Sequence, residues 1–326
     1  MYAFSSHTPG GAPPTRAAPS QAETRMTLYA FMGAMEIGLI FGLVALGVLI
    51  SFRVLNFPDL TVDGSFPLGG AVAATFIAHG SNPFLATAAA FFAGGIAGFI
   101  TGWFNVRLKI MDLLAGILLM TALYSINLRI MGKPNMPLIT EPTVFTLALP
   151  PILLDSPSGL GKPLLLAAIV LVIKLLLDAF FATRIGLAMR ATGANPRMAR
   201  AQGVATGWLV MAGLALSNAL VALAGALFAQ SQGGADISMG IGTIVIGLAA
   251  VIIGENLLPS RRLIVTTLAV ILGAVLYRFF ITLALSFDAL GLQSQDLNFV
   301  TAALVSIVLV LPLIKRRLLP KKASGE

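Results

Sequence analysis

The sequence predicts an all-α fold, a polytopic membrane helical bundle of about eight or nine transmembrane helices. Of its 326 residues, 57% are hydrophobic and only 10% are charged, whereas soluble domains carry about 25% charged residues. Apolar stretches of the roughly 20 residues that cross a bilayer recur along the chain. The composition excludes a soluble enzyme and a nucleic-acid-binding domain, so the net charge of +8 does not indicate a nucleic-acid partner.

Residues suited to cofactor chemistry are scarce. The chain has no cysteine and only two histidines, His7 and His79, which argues against metal and iron–sulfur sites. A phosphate-binding loop is not formed at residues 156–163, because Ser156 and Pro163 occupy the positions that require glycine and serine or threonine. We therefore expect a chain that is not an enzyme and that binds no cofactor, with any ATP held by a partner.

Charges and turn residues divide the chain into a tail and nine spans. Residues 1–27 are rich in proline, glycine and serine, which predicts a disordered tail, and residues 316–326 form a basic C-terminal tail. The predicted spans between them are 28–52, 65–78, 84–106, 113–131, 163–183, 204–230, 237–258, 263–285 and 297–314. The Pro-rich stretch 132–161 predicts a loop outside the bilayer.

The second span is short, and its approach is irregular. Asn56-Phe57-Pro58-Asp59 precedes it, which predicts a broken or re-entrant helix near this point. In the neighbouring spans, glycines recur at four-residue spacing, at Gly94, Gly98 and Gly102 and again at Gly38 and Gly42. Such faces let helix backbones approach closely in lipid.

Basic residues in alternate loops predict the orientation of the bundle. The loop after the fifth span holds four arginines between 184 and 200, with no acidic residue from 179 to 235. The C-terminal end holds five basic residues between 315 and 322. Because cytoplasmic loops are enriched in lysine and arginine, we expect both segments in the cytoplasm and the N-terminus outside.

The basic loop 184–203 contains the most specific pattern in the chain. Gly193-Ala-Asn195-Pro196 predicts a turn, with Asn195 capping a short helix that begins at Pro196. A short helix flanked by arginines and helix breakers suits docking onto a soluble partner. An ordinary positively charged loop has the same composition, and the residues alone leave both interpretations open.

The spacing in this loop resembles that of the branched-chain amino-acid permease family of ABC importers. The matching positions are Gly186, Arg190, Ala191, Gly193, Asn195, Ala199 and Gly203. Residues 42–71 and 246–255 also resemble the family, over a total of about 36–314. The stretch Phe57-Pro58-Asp59 differs from the sequence that amino-acid members of the family typically have after the Asn-Phe pair. It is similar to the branch of the family often assigned to tryptophan and tyrosine uptake.

The resemblance implies a transmembrane permease domain at 28–315 in a bacterial inner membrane. It implies that loop 184–203, including Pro196 and Arg197, is the coupling element that docks on a separate cytoplasmic ABC ATPase. It further implies an extracytoplasmic solute-binding protein and a second permease subunit, either another copy or a close homologue. The expected cargo is a hydrophobic amino acid, aromatic before branched-chain, with a sugar or nucleoside as the alternative.

Polar residues near the predicted break form the second set of site residues. These are Asn56, Asp59, Thr61 and Asp63, together with Asn218 in the sixth span. Interrupted helices line cavities in transporters, so these residues predict a translocation pathway or gate. A turn with both carboxylates in water is the open alternative. An ion-coupled secondary transporter, using the same carboxylates, is the competing function.

Other charged residues lie within or beside the spans. Lys174 and Asp178 are four residues apart on one helix face, which predicts a structural ion pair. Glu36 and Arg278 lie nearer to span ends, where long side chains can reach the interface. Glu255 is expected to contact the basic loop or to mark the membrane surface.

Overall fold

The computed structural model describes residues 21–150, 160–260 and 262–286, together with 302, 303 and 306. Within these residues the chain is an α-helical bundle, which confirms the predicted fold class. Six helices are long and apolar enough to cross a membrane, and two shorter apolar helices accompany them. The ninth predicted span, residues 1–20 and the tail 316–326 lie outside the described residues, apart from the three positions near 302.

The elements follow one another along the chain. They are α1 (Gln21–Val48), a π-helical segment (Leu49–Val54), α2 (Val62–Ala78), α3 (Pro83–Leu108), α4 (Asp112–Met131), β1 (Asn135–Pro137), α5 (Val144–Ala148), α6 (Gly161–Ala182), α7 (Arg184–Ala194), α8 (Pro196–Ala201), α9 (Thr206–Gln232), β2 (Gly234–Asp236), α10 (Thr243–Leu257) and α11 (Leu263–Ser286).

Two helix boundaries differ from the prediction. α1 begins at Gln21, so residues 21–27 extend this helix instead of belonging to the predicted tail. α10 begins at Thr243 and not at residue 237. The apolar sequence before it reads as part of a span, but residues 238–242 form turns, and Gly242 has a φ of 81° that a right-handed helix does not allow.

The predicted break between the first two spans is present. Residues 55–61 leave regular helical structure between the π-helical segment and α2. Asn56 has a φ of 55°, in the left-handed region that asparagine tolerates better than most residues. α2 itself has 17 residues, about 25 Å of helix, so it is short for a membrane crossing.

α9 is the central helix, and glycines bring its neighbours close to it. A Cβ atom added to Gly98 of α3 would lie 2.1 Å from the Leu214 carbonyl oxygen, and one added to Gly94 would lie 2.4 Å from the Asn218 carbonyl oxygen. Gly102, one turn further, also faces α9. The glycine repeat predicted to mark a close helix contact therefore does so.

A second close contact joins α1 to α11. A Cβ atom on Gly38 would lie 2.9 Å from the Val275 Cα, and one on Gly42 would lie 3.5 Å from an Ile271 methyl group. Van der Waals packing between close backbones is a main source of helix association in lipid.

The predicted ion pair in α6 is confirmed. Lys174 Nζ lies 2.6 Å from Asp178 Oδ2, and both side chains are 9% exposed. Thr267 of α11 donates a hydrogen bond of 2.8 Å to Asp178 Oδ1. The pair thus stabilises contact between α6 and α11, which is a structural role.

The two ends of the bundle differ in character. α7 and α8 lie at one end, which we call the basic end. β1 and β2 pair antiparallel at the opposite end, with Met136 opposite Ala235. α9 runs between the two ends over 27 residues, about 40 Å.

We predict that the basic end faces the cytoplasm. The measurement is labelling of single cysteines by a membrane-impermeant maleimide, which is simple because the native chain has no cysteine. Ile139→Cys, at a position 86% exposed near β1, should react in intact cells. Met198→Cys, at a position 63% exposed in α8, should react only after permeabilisation.

The reverse pattern would contradict this orientation. Thr192 lies in the basic segment, as we call residues 184–203, but it is only 3% exposed and is unsuitable as a labelling position.

Candidate functional site

Buried hydrogen bonds hold the chain where the first two helices break. Asp59 Oδ1 accepts a hydrogen bond of 2.9 Å from the Thr61 backbone N–H, and Asp59 Oδ2 accepts one of 2.6 Å from Asn218 Nδ2. Asn218 Oδ1 accepts a hydrogen bond of 2.7 Å from the Ser65 hydroxyl. All four residues are fully buried. The broken segment and the start of α2 are therefore fastened to the central helix α9.

Two further neighbours bind the start of α2. The hydroxyl groups of Thr61 and Thr101 in α3 lie 2.8 Å apart and share a hydrogen bond. Asn127 of α4 donates a hydrogen bond of 3.2 Å to the Gly64 carbonyl oxygen. Sequence reasoning missed Thr101 and Asn127 as members of this network; single polar residues in apolar spans were the available signal.

Asp63 has a different role, at the start of α10. Its Oδ1 accepts a hydrogen bond of 2.7 Å from the Ile244 N–H, and its Oδ2 accepts one of 3.3 Å from the Gly242 N–H. Unpaired N–H groups and the helix dipole make such a terminus favourable for a carboxylate. A Cβ atom on Gly240 would lie 2.1 Å from the Asp63 carbonyl oxygen. The two short helices thus meet at their N-terminal ends.

The predicted pathway residues fall into three places. Asp59, Thr61 and Asn218 share the buried network, and Asp63 caps α10. Asn56 is exposed and lines an open cleft of about 670 Å³ at the basic end. The interpretation of both carboxylates as solvated is wrong for Asp59, which is 0% exposed.

The basic segment folds into two helices that meet at Asn195. The Asn195 side chain accepts a hydrogen bond of 3.0 Å from the Met198 N–H and so caps α8, which begins at Pro196 as predicted. α8 is closed by Gly203, which has a φ of 80°, and by a 3.1 Å bond from the Val204 N–H to the Ala199 carbonyl.

The turn predicted at residues 193–196 does not include Gly193, because α7 continues to Ala194 and the chain leaves the helix at Asn195. Gly193 lies within α7 and is absent from the positive-φ residues of the described chain. Its lack of a side chain is required by contact, since a Cβ atom there would lie 1.8 Å from the Val54 carbonyl oxygen and 2.9 Å from the Leu55 Cα. α7 therefore rests directly on the backbone where the first helix breaks.

The basic segment has an inner and an outer face. Gly186, Met189, Thr192 and Ala199 are buried on the inner face. The predicted coupling residues Arg190, Ala191, Asn195, Pro196, Arg197 and Gly203 are all exposed. Ile185, Leu187 and Met198, which the prediction did not include, are exposed at 57%, 52% and 63%. The outer face therefore combines arginines with apolar side chains.

An ion pair joins the π-helical segment to α10. Arg53 Nε lies 2.7 Å from Glu255 Oε1. Glu255 thus contacts the π-helical segment, whereas the prediction placed it against the basic loop or at the membrane surface. The π-helical segment is joined to α7 through Val54 and to α10 through Arg53.

Comparisons with known proteins give a consistent picture. The family described as "Branched-chain amino acid transport system / permease component" matches residues 31–314. A tyrosine transport system permease protein of Clostridioides difficile (strain R20291) is 40% identical over 275 residues, which is 84% of this chain and 88% of that protein. An uncharacterized protein of Rickettsia prowazekii (strain Madrid E) is 38% identical over 224 residues, 69% of this chain and 76% of that protein. No solved structure matches.

We predict that Asn218→Ala destabilises the protein. The substitution removes one hydrogen-bond donor from the buried Asp59 carboxylate and the acceptor of the Ser65 hydroxyl. Leaving such groups unpaired costs about 1–3 kcal/mol each. Thermal unfolding of purified protein in detergent should show a clearly lower midpoint. Asn256→Ala is the control, because Asn256 is exposed and bonds the backbone of its own helix; equal midpoints for the two variants would contradict the network's role.

Proposed function

The chain belongs to the branched-chain amino acid transport permease family, and we propose on this premise that it is the membrane-spanning permease subunit of an ABC importer. The subunit moves a hydrophobic amino acid, aromatic before branched-chain, into the cytoplasm. A separate ABC ATPase hydrolyses the ATP. An extracytoplasmic binding protein delivers the substrate, and a second permease subunit completes the transmembrane path.

The contact between Gly193 and the Val54 carbonyl carries this proposal. The backbone atoms leave no space for a methyl group, and close-packed contacts transmit displacement instead of absorbing it. A shift of α7 therefore moves the π-helical segment. From there the Arg53–Glu255 ion pair reaches the cytoplasmic end of α10, and the Asp59–Asn218 hydrogen bond reaches α9.

The outer face of the basic segment suits a soluble protein partner. Arginine and methionine are enriched at protein interfaces, and Met198, Ile185 and Leu187 expose apolar surface beside Arg190 and Arg197. The run of arginines without acidic residues supports a cytoplasmic position. Permeases of this family generally act with an ABC ATPase, so the ATPase is the partner that we expect on that side.

The substrate class is proposed from two sources. The relative in Clostridioides difficile is named as a tyrosine transport system permease protein. The described helices offer mainly aliphatic, aromatic and small side chains, which suit a hydrophobic amino acid. A sugar or nucleoside substrate would keep the same mechanism with a different binding protein.

Replacement of Gly193 should uncouple the transporter. Gly193→Ala places a methyl group against the Val54 carbonyl, so α7 must move away from the π-helical segment. We expect the complex with the ATPase still to assemble, with at most a modest loss of affinity. Substrate-stimulated ATP hydrolysis and transport should fall at least about tenfold, which corresponds to about 1.4 kcal/mol of activation free energy.

Gly95→Ala in α3 is the matched control. A Cβ atom at Gly95 meets no atom closer than 3.7 Å, so this variant should transport normally. Normal coupling in Gly193→Ala would show that this contact does not transmit the movement.

A reconstituted transport assay tests the substrate and the energy source. Proteoliposomes containing the permease, its ATPase and its binding protein should accumulate labelled tyrosine or tryptophan only with ATP on the ATPase side. Accumulation driven by an ion gradient without ATP would favour a secondary transporter that uses Asp59 or Asp63. ATP-driven uptake of ribose or a nucleoside alone would overturn the substrate assignment.

A further inference from the structure

A second cavity lies away from the buried network and the basic segment. It measures about 400 Å³ and is lined by residues of α1, α9, α10 and α11, by the turns before α10 and by Ala302. Its lining is mostly apolar or aromatic and includes Ile37, Phe41, Phe228, Met239, Val245 and Ile246. Binding sites for small molecules commonly measure about 300–1,000 Å³ and have such walls with a few polar groups.

Among the described residues that line this cavity, Arg278 carries a charge. It lies in α11, within the stretch Leu263–Ala284 that is long and apolar enough to cross a membrane. Its Nε is buried without a hydrogen-bond partner. The ion pairs found in the described residues do not include it. A charged residue within a membrane-crossing helix is costly and marks a functional position by default.

Two acidic side chains next to lining residues are already engaged. Glu36, beside the lining residue Ile37, accepts a hydrogen bond from the Ser231 hydroxyl. Asp63 accepts its hydrogen bonds from the backbone at the start of α10. Arg278 is therefore a cationic donor that faces an aromatic cavity without an acidic partner in the described chain.

We propose that this cavity is a transient binding site for the transported amino acid. The Arg278 guanidinium binds the α-carboxylate, to which its planar donors are matched. Phe41 and Phe228, with ring centroids 6.2 Å apart, contact the aromatic side chain of the substrate together with Met239. The assignment rests on the proposed function, since it takes an amino acid as the substrate.

The position of the cavity suits this role. Arg278 lies in the half of α11 that is remote from the basic end. With the basic end in the cytoplasm, substrate reaches the bundle from this remote side. Gly242 both lines the cavity and donates its N–H to Asp63. The cavity therefore borders the junction of α2 and α10, to which the coupling contacts lead.

Protection of a cysteine from labelling tests this site. Val245→Cys places a thiol at a lining position that is 40% exposed, in a chain with no other cysteine. The complete transporter is reconstituted in phosphatidylcholine, and the rate of maleimide labelling is measured with tyrosine or with tyramine. Tyramine keeps the ring and the amine but has no carboxylate. Tyrosine should slow labelling, and tyramine should not.

Variants of Arg278 in this background make the test specific. Arg278→Gln should raise the half-protective tyrosine concentration at least about tenfold, as expected for loss of a hydrogen bond between charged groups. Arg278→Lys should give an intermediate value, which separates loss of charge from loss of folding. Arg129→Gln, at an exposed arginine of α4, is the control and should protect normally.

Equal protection by tyramine, or unchanged protection in Arg278→Gln, would overturn the site. Loss of tyrosine protection on adding phosphatidylglycerol would instead assign Arg278 to a lipid headgroup and also overturn it. ATP-driven tyrosine uptake by the same preparation separates the two proposals. Uptake without Arg278-dependent protection overturns the site and keeps the proposed function, whereas absence of uptake overturns the proposed function.

Discussion

Inside a bilayer no water is available to bind the backbone groups of an interrupted helix, and this constraint shapes the whole bundle. Residues 55–61 interrupt the helical path between α1 and α2. Asp59 accepts the Thr61 N–H, and Asn218 holds Asp59 from the central helix. Asp63 satisfies the first N–H groups of α10. With these partners in place, two short helices can begin within the bundle.

The same break provides a route from the surface to the interior. Gly193 brings α7 against the Val54 carbonyl, and Arg53 joins the neighbouring turn to Glu255 of α10. Each contact is short, and the one at Gly193 leaves no free volume. A partner that moves the basic segment therefore acts on an irregular part of the membrane domain, since residues 55–61 lie outside regular helices.

Much of this architecture is predictable from the sequence because it depends on local composition. Apolar runs locate the long helices, the Asn56–Asp59 stretch locates the break, and Asn195 before Pro196 locates the start of α8. The reason for Gly193 was not predictable, since its partner Val54 is distant in the sequence and only the fold brings them together. The partners of Asp63 and Glu255 are likewise tertiary contacts.

The central claim is that the basic segment moves the membrane break through Gly193. Hydrogen–deuterium exchange on the assembled transporter, with and without trapped ATP, tests this most directly. In the wild type, ATP trapping should change exchange in both 184–203 and 55–61. In Gly193→Ala it should change exchange in 184–203 alone. Unchanged exchange in 55–61 of the wild type, while 184–203 responds, would contradict the claim.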